Sequence, residues 1–470
     1  MLNPVTPEFK TLLRDLLPEA AFKDPTPYVT EPRGRWQGKG FVVAPSSTAE
    51  VARVVEACAD ARIGIVPYSG GTGLVGGQLM TNGPTSIVLT LDRMTRIHNV
   101  YPSENVLVCD AGVILADVQK AADNVGRMFA LSLASQGSAR IGGLLSTNAG
   151  GVNVLRYGNA RAQCLGLEFV RPDGTIWRGL SRLRKDNTGY DLRDLMIGAE
   201  GTLGIITGAA LRLVPRPAAT GAAIMSVRST EAALELLALA GEILGDGLSA
   251  FELIHSQSFE FLADVGPDIK APFNPVPEWS VLVDVGFSAA VNPQIALETL
   301  FTSAHEAGLV DDGVIAQSDA QRNALWHIRE SIPEANRRIG SISSHDISVP
   351  LSLIPEFIRR GRAGLADIGD FRINCFGHMG DGNLHYNVFP QKGLSRDNRL
   401  DTQNQIKTFV HDLAHSMGGS VSAEHGIGRL KVGEMARYGD PAKLSMMQAI
   451  KSALDPLGIM NPGAVLPPVS

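Results

Sequence analysis

Three stretches in the first half of the chain carry so few side chains that they suit neither an ordinary helix nor a packed strand. The first is Pro67-Tyr68-Ser69-Gly70-Gly71-Thr72-Gly73-Leu74-Val75-Gly76-Gly77. The second is Ser135-Gln136-Gly137-Ser138-Ala139-Arg140-Ile141-Gly142-Gly143, followed by Asn148-Ala149-Gly150-Gly151, and the third is Gly198-Ala199-Glu200-Gly201-Thr202-Leu203-Gly204. A glycine inside a helix costs about 1 kcal/mol relative to alanine, so this density favours turns and loops there. It lets backbone amides converge on an anion and lets the chain approach a ligand without a Cβ in the way. A single loop of this kind is more often a structural turn. Several in succession fit close approach to a large, flat, phosphorylated ligand.

Gly71-Thr72-Gly73-Leu74-Val75-Gly76 matches the dinucleotide fingerprint G-x-G-x-x-G. That fingerprint must open a helix whose N-terminus holds a pyrophosphate, yet Asn82-Gly83-Pro84 breaks the chain before two turns can form. Pro67 in the preceding strand also disagrees with a central parallel strand. The sequence therefore predicts a glycine loop and no Rossmann crossover.

Around these loops, apolar runs predict strands at 41–44, 63–68, 87–91, 106–109 and 167–171. Helices are predicted at 51–58, behind a Ser47-Thr48-Ala49-Glu50 capping box, and at 115–125. The Pro- and Ala-rich stretch 211–219 marks a boundary. After it the pattern restarts with strands at 223–227 and 280–287, helices at 231–244, 295–307 and 321–337, and later β segments around Cys375 and Tyr386. At roughly 150 residues per domain, 470 residues make two or three domains. The expected division is 1–215, 216–415 and a C-terminal segment 416–470.

A net charge of −6 without a basic run excludes the electrostatic footprint of nucleic-acid binding. Cys58, Cys109, Cys164 and Cys375 form no CxxC pair and read as small buried hydrophobes. The first twenty residues hold Glu8, Asp15 and Glu19, which is wrong for a secretory signal, and no transmembrane stretch follows. A cytoplasmic chain is expected. A homodimer is a base-rate expectation.

In the second half, Phe376-Gly377-His378-Met379-Gly380-Asp381-Gly382-Asn383-Leu384-His385-Tyr386-Asn387 predicts a hairpin turning at Asp381-Gly382, which brings His378 and His385 together. Alternation places His385 and Asn387 on one face, Leu384 and Tyr386 on the other. Two imidazoles and a carboxylate make a catalytic metal set with an open position, and Glu424 in Ser422-Ala423-Glu424-His425-Gly426-Ile427-Gly428 is the best third ligand. His425 is then free to act as a base. Read alone, this set also suits a zinc hydrolase that activates water, a reading that leaves the glycine loops unexplained.

Together these segments resemble the vanillyl-alcohol-oxidase-type flavoproteins, and H-M-G-D-G-N-L-H-x-N with E-H-G-I-G resembles their D-2-hydroxyacid dehydrogenase branch. That branch includes D-2-hydroxyglutarate and D-lactate dehydrogenases and the flavin subunit of glycolate oxidase. The resemblance implies an α+β chain: a PCMH-type FAD-binding domain plus an α/β substrate (cap) domain with a mainly antiparallel sheet. It assigns FAD to Pro67, Ser69, Gly70, Gly71, Thr72, Gly73, Leu74 and Gly76. From the second and third stretches it adds Ser135, Gly137, Ser138, Gly142, Gly143, Asn148, Gly150, Gly151, Glu200, Gly201, Gly204, Ile205 and Ile206. No histidine lies between Tyr68 and Gly77, so the flavin is expected to be noncovalent.

The resemblance further implies zinc or a similar divalent ion at His378, His385 and Glu424, and His425 as the base that takes the hydroxyl proton while hydride passes from C2 to flavin N5. It implies that Arg329 and Asn387 bind the substrate, a small 2-hydroxy acid, and a protein or quinone is expected to accept the electrons. In the family the C-terminal segment returns towards the flavin domain. Departures bear on the substrate: Pro333 and Ser344 replace a threonine and a lysine typical of members acting on hydroxyglutarate, and Ala464 replaces a C-terminal lysine. D-lactate and D-malate therefore stand beside D-2-hydroxyglutarate. A flavin subunit of a glycolate-oxidase-like complex is the alternative.

Overall fold

The structure is a computed structural model that describes residues 1–467 apart from 32, 33, 35 and 267. The chain divides into two compact units: Met1–Gly151 with Gly158–Arg216 and Glu424–Ser470, and Val152–Tyr157 with Pro217–Ala423.

In the first unit, helix Thr48–Ala61 begins at Ser47, whose hydroxyl accepts the Glu50 N–H, and buries Val51, Val54, Val55 and Cys58. The Glu50 carboxylate accepts from the Ser46 N–H at 2.7 Å, so the reciprocal half of the cap closes one residue earlier than the capping-box pattern predicts. Strands Phe41–Val43, Ile87–Thr90 and Ile65–Tyr68 form a small parallel sheet in that order. Pro67 thus lies in an edge strand, where a missing N–H is tolerated. No helix follows Gly76. Beyond this edge the C-terminal chain returns: the Ile65 N–H donates to the Ile459 carbonyl at 2.7 Å, and the Asn461 N–H to the Ile65 carbonyl at 2.8 Å.

A second, antiparallel sheet has the order Ile97–Tyr101, Val106–Asp110, Ile205–Arg212, Cys164–Val170, Ile176–Gly179. The sequence pattern misses three of these strands. Ile205–Arg212 hides because its Gly208, Ala209 and Ala210 look like a continuation of the preceding glycine-rich segment; it is buried along almost its whole length.

The second unit is built on a seven-stranded sheet, antiparallel in every pairing. Its order is Val310–Ile315, Ala219–Val227, Trp279–Phe287, Leu248–His255, Arg372–His378, Asn383–Phe389, Ser343–Ser348. Alternation splits the strands between two cores. On one side Val281, Val283, Val285, Leu384 and Tyr386 pack with residues of helices Thr230–Leu244, Pro293–Glu306, Ile354–Ile368 and Gln403–Ser416. On the other, Ile224, Ile254, Leu282, Phe376 and Phe389 meet helices Ser256–Val265 and Asp319–Ile339. The long helix Asp319–Ile339 continues through Pro333, which is exposed. All four cysteines are free and buried. No helix among the described residues is long and apolar enough to cross a membrane.

Candidate active site

The first unit brings the glycine-rich stretches together. The Gly143 N–H donates to the Ser69 hydroxyl at 3.1 Å. A Cβ on Gly70 would stand 2.4 Å from the Ser138 carbonyl oxygen, and one on Gly201 would stand 2.8 Å from Pro67 Cγ. The three segments therefore pack too closely for a Cβ at Gly70 and Gly201, a spacing that only glycine permits at these positions. Gln78 Nε2 donates to the Gly71 and Gly73 carbonyls at 3.2 and 3.0 Å and fixes the first loop. The Gly198 and Glu200 N–H groups donate to the Leu145 and Ser146 carbonyls at 3.0 and 2.8 Å, tying the third stretch to the second. Gly137 differs: a Cβ there would meet no atom within 4 Å, so nothing in the protein itself accounts for a glycine. A cradle of abutting glycines with open space at Gly137 fits a flavin dinucleotide. Gly204, by contrast, faces the Phe169 ring and the Val170 carbonyl, and Ile205 and Ile206 are 2% and 3% exposed in the core.

The segment beginning at Glu424 belongs to this same unit. Both carboxylate oxygens of Glu200 are engaged by it, accepting the Ile427 and Gly428 N–H groups at 2.8 Å each. Burial, the largest influence, raises the Glu200 pKa against those two amides and nearby Lys431 and Arg429. Arg429 is a second anchor: Nη1 donates to the Gly77 carbonyl at 2.7 Å, and Nη2 to Asn461 Oδ1 at 2.7 Å and the Pro462 carbonyl at 3.0 Å. Desolvation lowers its pKa to about 10, with Glu200 opposing the shift. Glu424 and His425 are half-buried, with His425 Nε2 3.7 Å from Glu424 Oε1. Arg429 escapes the sequence reading although it follows Gly428 directly; its only signal is that adjacency to E-H-G-I-G.

In the second unit the hairpin forms as its sequence predicts, with a tight turn at Met379–Asp381 closed by Gly382 at φ 85°. The His378 and His385 rings lie 5.4 Å apart at 77°. On His378, Nδ1 is 2.6 Å from Oε1 of Glu252, the residue opposite it on the neighbouring strand. The other Glu252 oxygen accepts from Arg329 Nε at 2.7 Å. Arg329, on helix Asp319–Ile339, also lies over the Phe376 ring at 4.8 Å and is 5% exposed. Burial alone would raise the Glu252 pKa, but the charges and hydrogen bonds of His378 and Arg329 outweigh it and hold the carboxyl at about 2. An ionised carboxylate only accepts, so this contact favours a proton on His378 Nδ1.

Asp346 is cross-strand to His385 and accepts from Asn383 Nδ2 at 2.9 Å. Asn387 is buried beside them, its Nδ2 donating to the His385 carbonyl at 3.4 Å. Ser344 lies opposite Asn387 and is exposed, its hydroxyl 2.7 Å from that of Ser341. Sequence reasoning missed Glu252. Its signal is a lone carboxylate in an otherwise apolar strand, Phe251-Glu252-Leu253-Ile254.

Known proteins agree with this organisation. The FAD binding domain family matches residues 40–179, and the family of FAD linked oxidases, C-terminal domain, matches residues 216–465. A probable D-2-hydroxyglutarate dehydrogenase of Oryza sativa subsp. japonica is 36% identical over 92% of this chain and 76% of its own. The D-2-hydroxyglutarate dehydrogenase of Xanthomonas citri pv. viticola is 36% identical over 91% of this chain and 90% of its own. Among solved structures, an alkyldihydroxyacetonephosphate synthase superimposes with a TM-score of 0.73 at 16% identity, covering 98% of this chain and 85% of that one. That likeness establishes the vanillyl-alcohol-oxidase-type fold. The rice relative, like those from Arabidopsis thaliana and Bos taurus, is named as mitochondrial, which overturns the expectation of a cytoplasmic chain. The family matches also dispose of the zinc hydrolase alternative, which gave the glycine loops no role. With an FAD-binding half, an FAD-linked-oxidase half and relatives above 30% identity along nearly its whole length, the chain belongs to the FAD-dependent D-2-hydroxyacid dehydrogenases.

Proposed function

We propose that the chain oxidises D-2-hydroxyglutarate to its 2-oxo acid with noncovalently bound FAD and a divalent metal, zinc or a similar ion. The names of the rice and Xanthomonas relatives support that substrate. D-lactate and D-malate belong in the same test because Pro333 and Ser344 replace residues expected to bind carboxylate.

The observation that carries the metal reading is the His378–His385 pair with a carboxylate on His378 Nδ1. Metal-binding histidines are oriented in this manner, the carboxylate fixing the tautomer and raising ligand basicity. The third ligand implied by the E-H-G-I-G resemblance is Glu424. When bound, FAD supplies a two-electron acceptor and the metal supplies Lewis acidity towards the substrate hydroxyl. His425 removes the hydroxyl proton. Arg329, with only Nε engaged in a hydrogen bond among the described residues, keeps its η nitrogens for the substrate carboxylate. Asn387 assists with its amide. Electrons leave to a protein or quinone acceptor.

The test is an anaerobic spectral titration of the purified protein with D- and L-2-hydroxy acids, before and after chelation and zinc return. Bleaching of the flavin by D-2-hydroxyglutarate, lost on chelation and restored by zinc, is the expected result. Bleaching that survives chelation removes the metal from the mechanism. Turnover of the isolated chain with an artificial acceptor tests the alternative of a flavin subunit inactive without its partner.

A further inference from the structure

We infer that Glu252 is the positioning residue of the metal site: by bridging His378 and Arg329 it sets the tautomer that presents His378 Nε2 to the metal and locks the substrate-binding guanidinium to the same frame. The inference rests on the metal reading above and adds a residue and a division of labour to it. Glu252 is 1% exposed and opposes His378 in register, so its carboxylate reaches the imidazole from the adjacent strand of a seven-stranded sheet, a rigid base. Its two oxygens are divided, Oε1 at 2.6 Å from His378 Nδ1 and Oε2 at 2.7 Å from Arg329 Nε. Neither partner can move without pulling the other through this one carboxylate. A proton on Nδ1, shared with Glu252, is the tautomer that carries the lone pair on Nε2, the nitrogen through which His378 would coordinate a metal.

An amide cannot replace this carboxylate. Glutamine at position 252 has one acceptor oxygen, so it accepts from His378 Nδ1–H or from Arg329 Nε–H, and its NH₂ must face the other. If the NH₂ faces His378, the proton is driven to Nε2 and the coordinating lone pair is lost. If it faces Arg329, two donors oppose each other and the guanidinium swings away.

The experiment measures zinc affinity by chelator competition and flavin content in the wild-type holoprotein and in the Glu252→Gln, Glu252→Asp and His385→Gln variants. Zinc affinity should fall about 10–100-fold in Glu252→Gln with flavin content unchanged. Glu252→Asp, which keeps two acceptors on a shorter arm, should recover part of that loss. Zinc affinity within twofold of wild type in Glu252→Gln, with His385→Gln abolishing binding, overturns the positioning role and leaves the metal reading standing. A wild-type protein that binds no zinc overturns both. A readout that requires no Glu252 variant is ring-nitrogen NMR of histidine-labelled, zinc-free wild type, with the His378 signals assigned by their loss in His378→Gln. A proton on Nδ1 is expected, and a neutral ring protonated on Nε2 overturns the inference.

Discussion

Glu200 accepts the Ile427 backbone N–H at 2.8 Å across a sequence separation of 227 residues. The same carboxylate takes the Gly428 N–H, so the loop that follows Glu424 and His425 is anchored to the glycine-rich segment 198–204 by one buried side chain. Replacing Glu200 with alanine strands two amides, at about 1–3 kcal/mol for each that stays dry. The first unit should melt several degrees lower, and turnover should fall more than flavin content does. Thermal melting with flavin absorbance and steady-state assay reads all three, and an unchanged turnover would show that this anchor does not serve the site.

The same residue gives a pH dependence of definite sign. Because the folded pKa is raised above the ordinary 4.5, the folded state holds the Glu200 proton more tightly than the unfolded chain does. Its contribution is fully present below the unfolded value and is lost as pH rises through the folded one. Measured against Glu200→Gln, which cannot titrate, the wild type should lose relative stability as pH rises above the ordinary carboxyl value of 4.5 and through the raised folded one. Denaturant melts across that window check it; a rising difference refutes the burial account.

Two glycines of the same cradle should part company when given a methyl group. Alanine at Gly70 drives a Cβ to 2.4 Å from the Ser138 carbonyl, so both folding and flavin binding should suffer. Alanine at Gly137 meets nothing within 4 Å and should leave the melting temperature of the flavin-free protein unchanged. Flavin affinity, measured by reconstitution, should nevertheless drop about tenfold or more if that space receives the cofactor, tenfold being about 1.4 kcal/mol. Normal flavin affinity in Gly137→Ala would remove Gly137 from the binding surface.

These contrasts show why the sequence was legible in some places and silent in others. Periodicity exposes strand 279–287 because Val281, Val283 and Val285 share one face, and it exposes the histidine hairpin because Gly382 must turn the chain. It cannot expose Glu252 or Arg429, whose roles depend on partners far along the chain: 126 residues separate Glu252 from His378, and 352 separate Arg429 from Gly77. A carboxylate between apolar neighbours announces only that something must satisfy it. Strand 205–212 was hidden for the opposite reason. Its small residues serve close packing in a sheet interior and resemble loop composition when read locally.

The Arg329–Glu252 pair predicts a non-additive pair of mutations. Removing the cation alone, by Arg329→Met, leaves a carboxylate that is 1% exposed with one partner fewer, at about 3–5 kcal/mol for breaking a buried pair. The double variant Arg329→Met/Glu252→Gln removes the charge as well and should regain a good part of that stability. Chemical denaturation of the four proteins of the cycle measures the coupling. Additive effects would mean that the two charges are screened from each other, contrary to their 2.7 Å separation.

His425→Ala separates cofactor retention from chemistry. The residue is half-buried and neither anchors the Glu200 contact nor belongs to the proposed ligand set, so flavin and metal contents should stay near wild type. Loss of a positioned base costs about 10²–10⁴ in rate. Anaerobic stopped-flow reduction of the flavin by D-2-hydroxyglutarate should slow by that factor. Reduction by dithionite, which needs no proton acceptor at the substrate hydroxyl, should be unaffected. Partial recovery at high pH, where hydroxide replaces the missing imidazole, would strengthen the assignment. A variant that reduces its flavin at the wild-type rate would transfer the proton to another group.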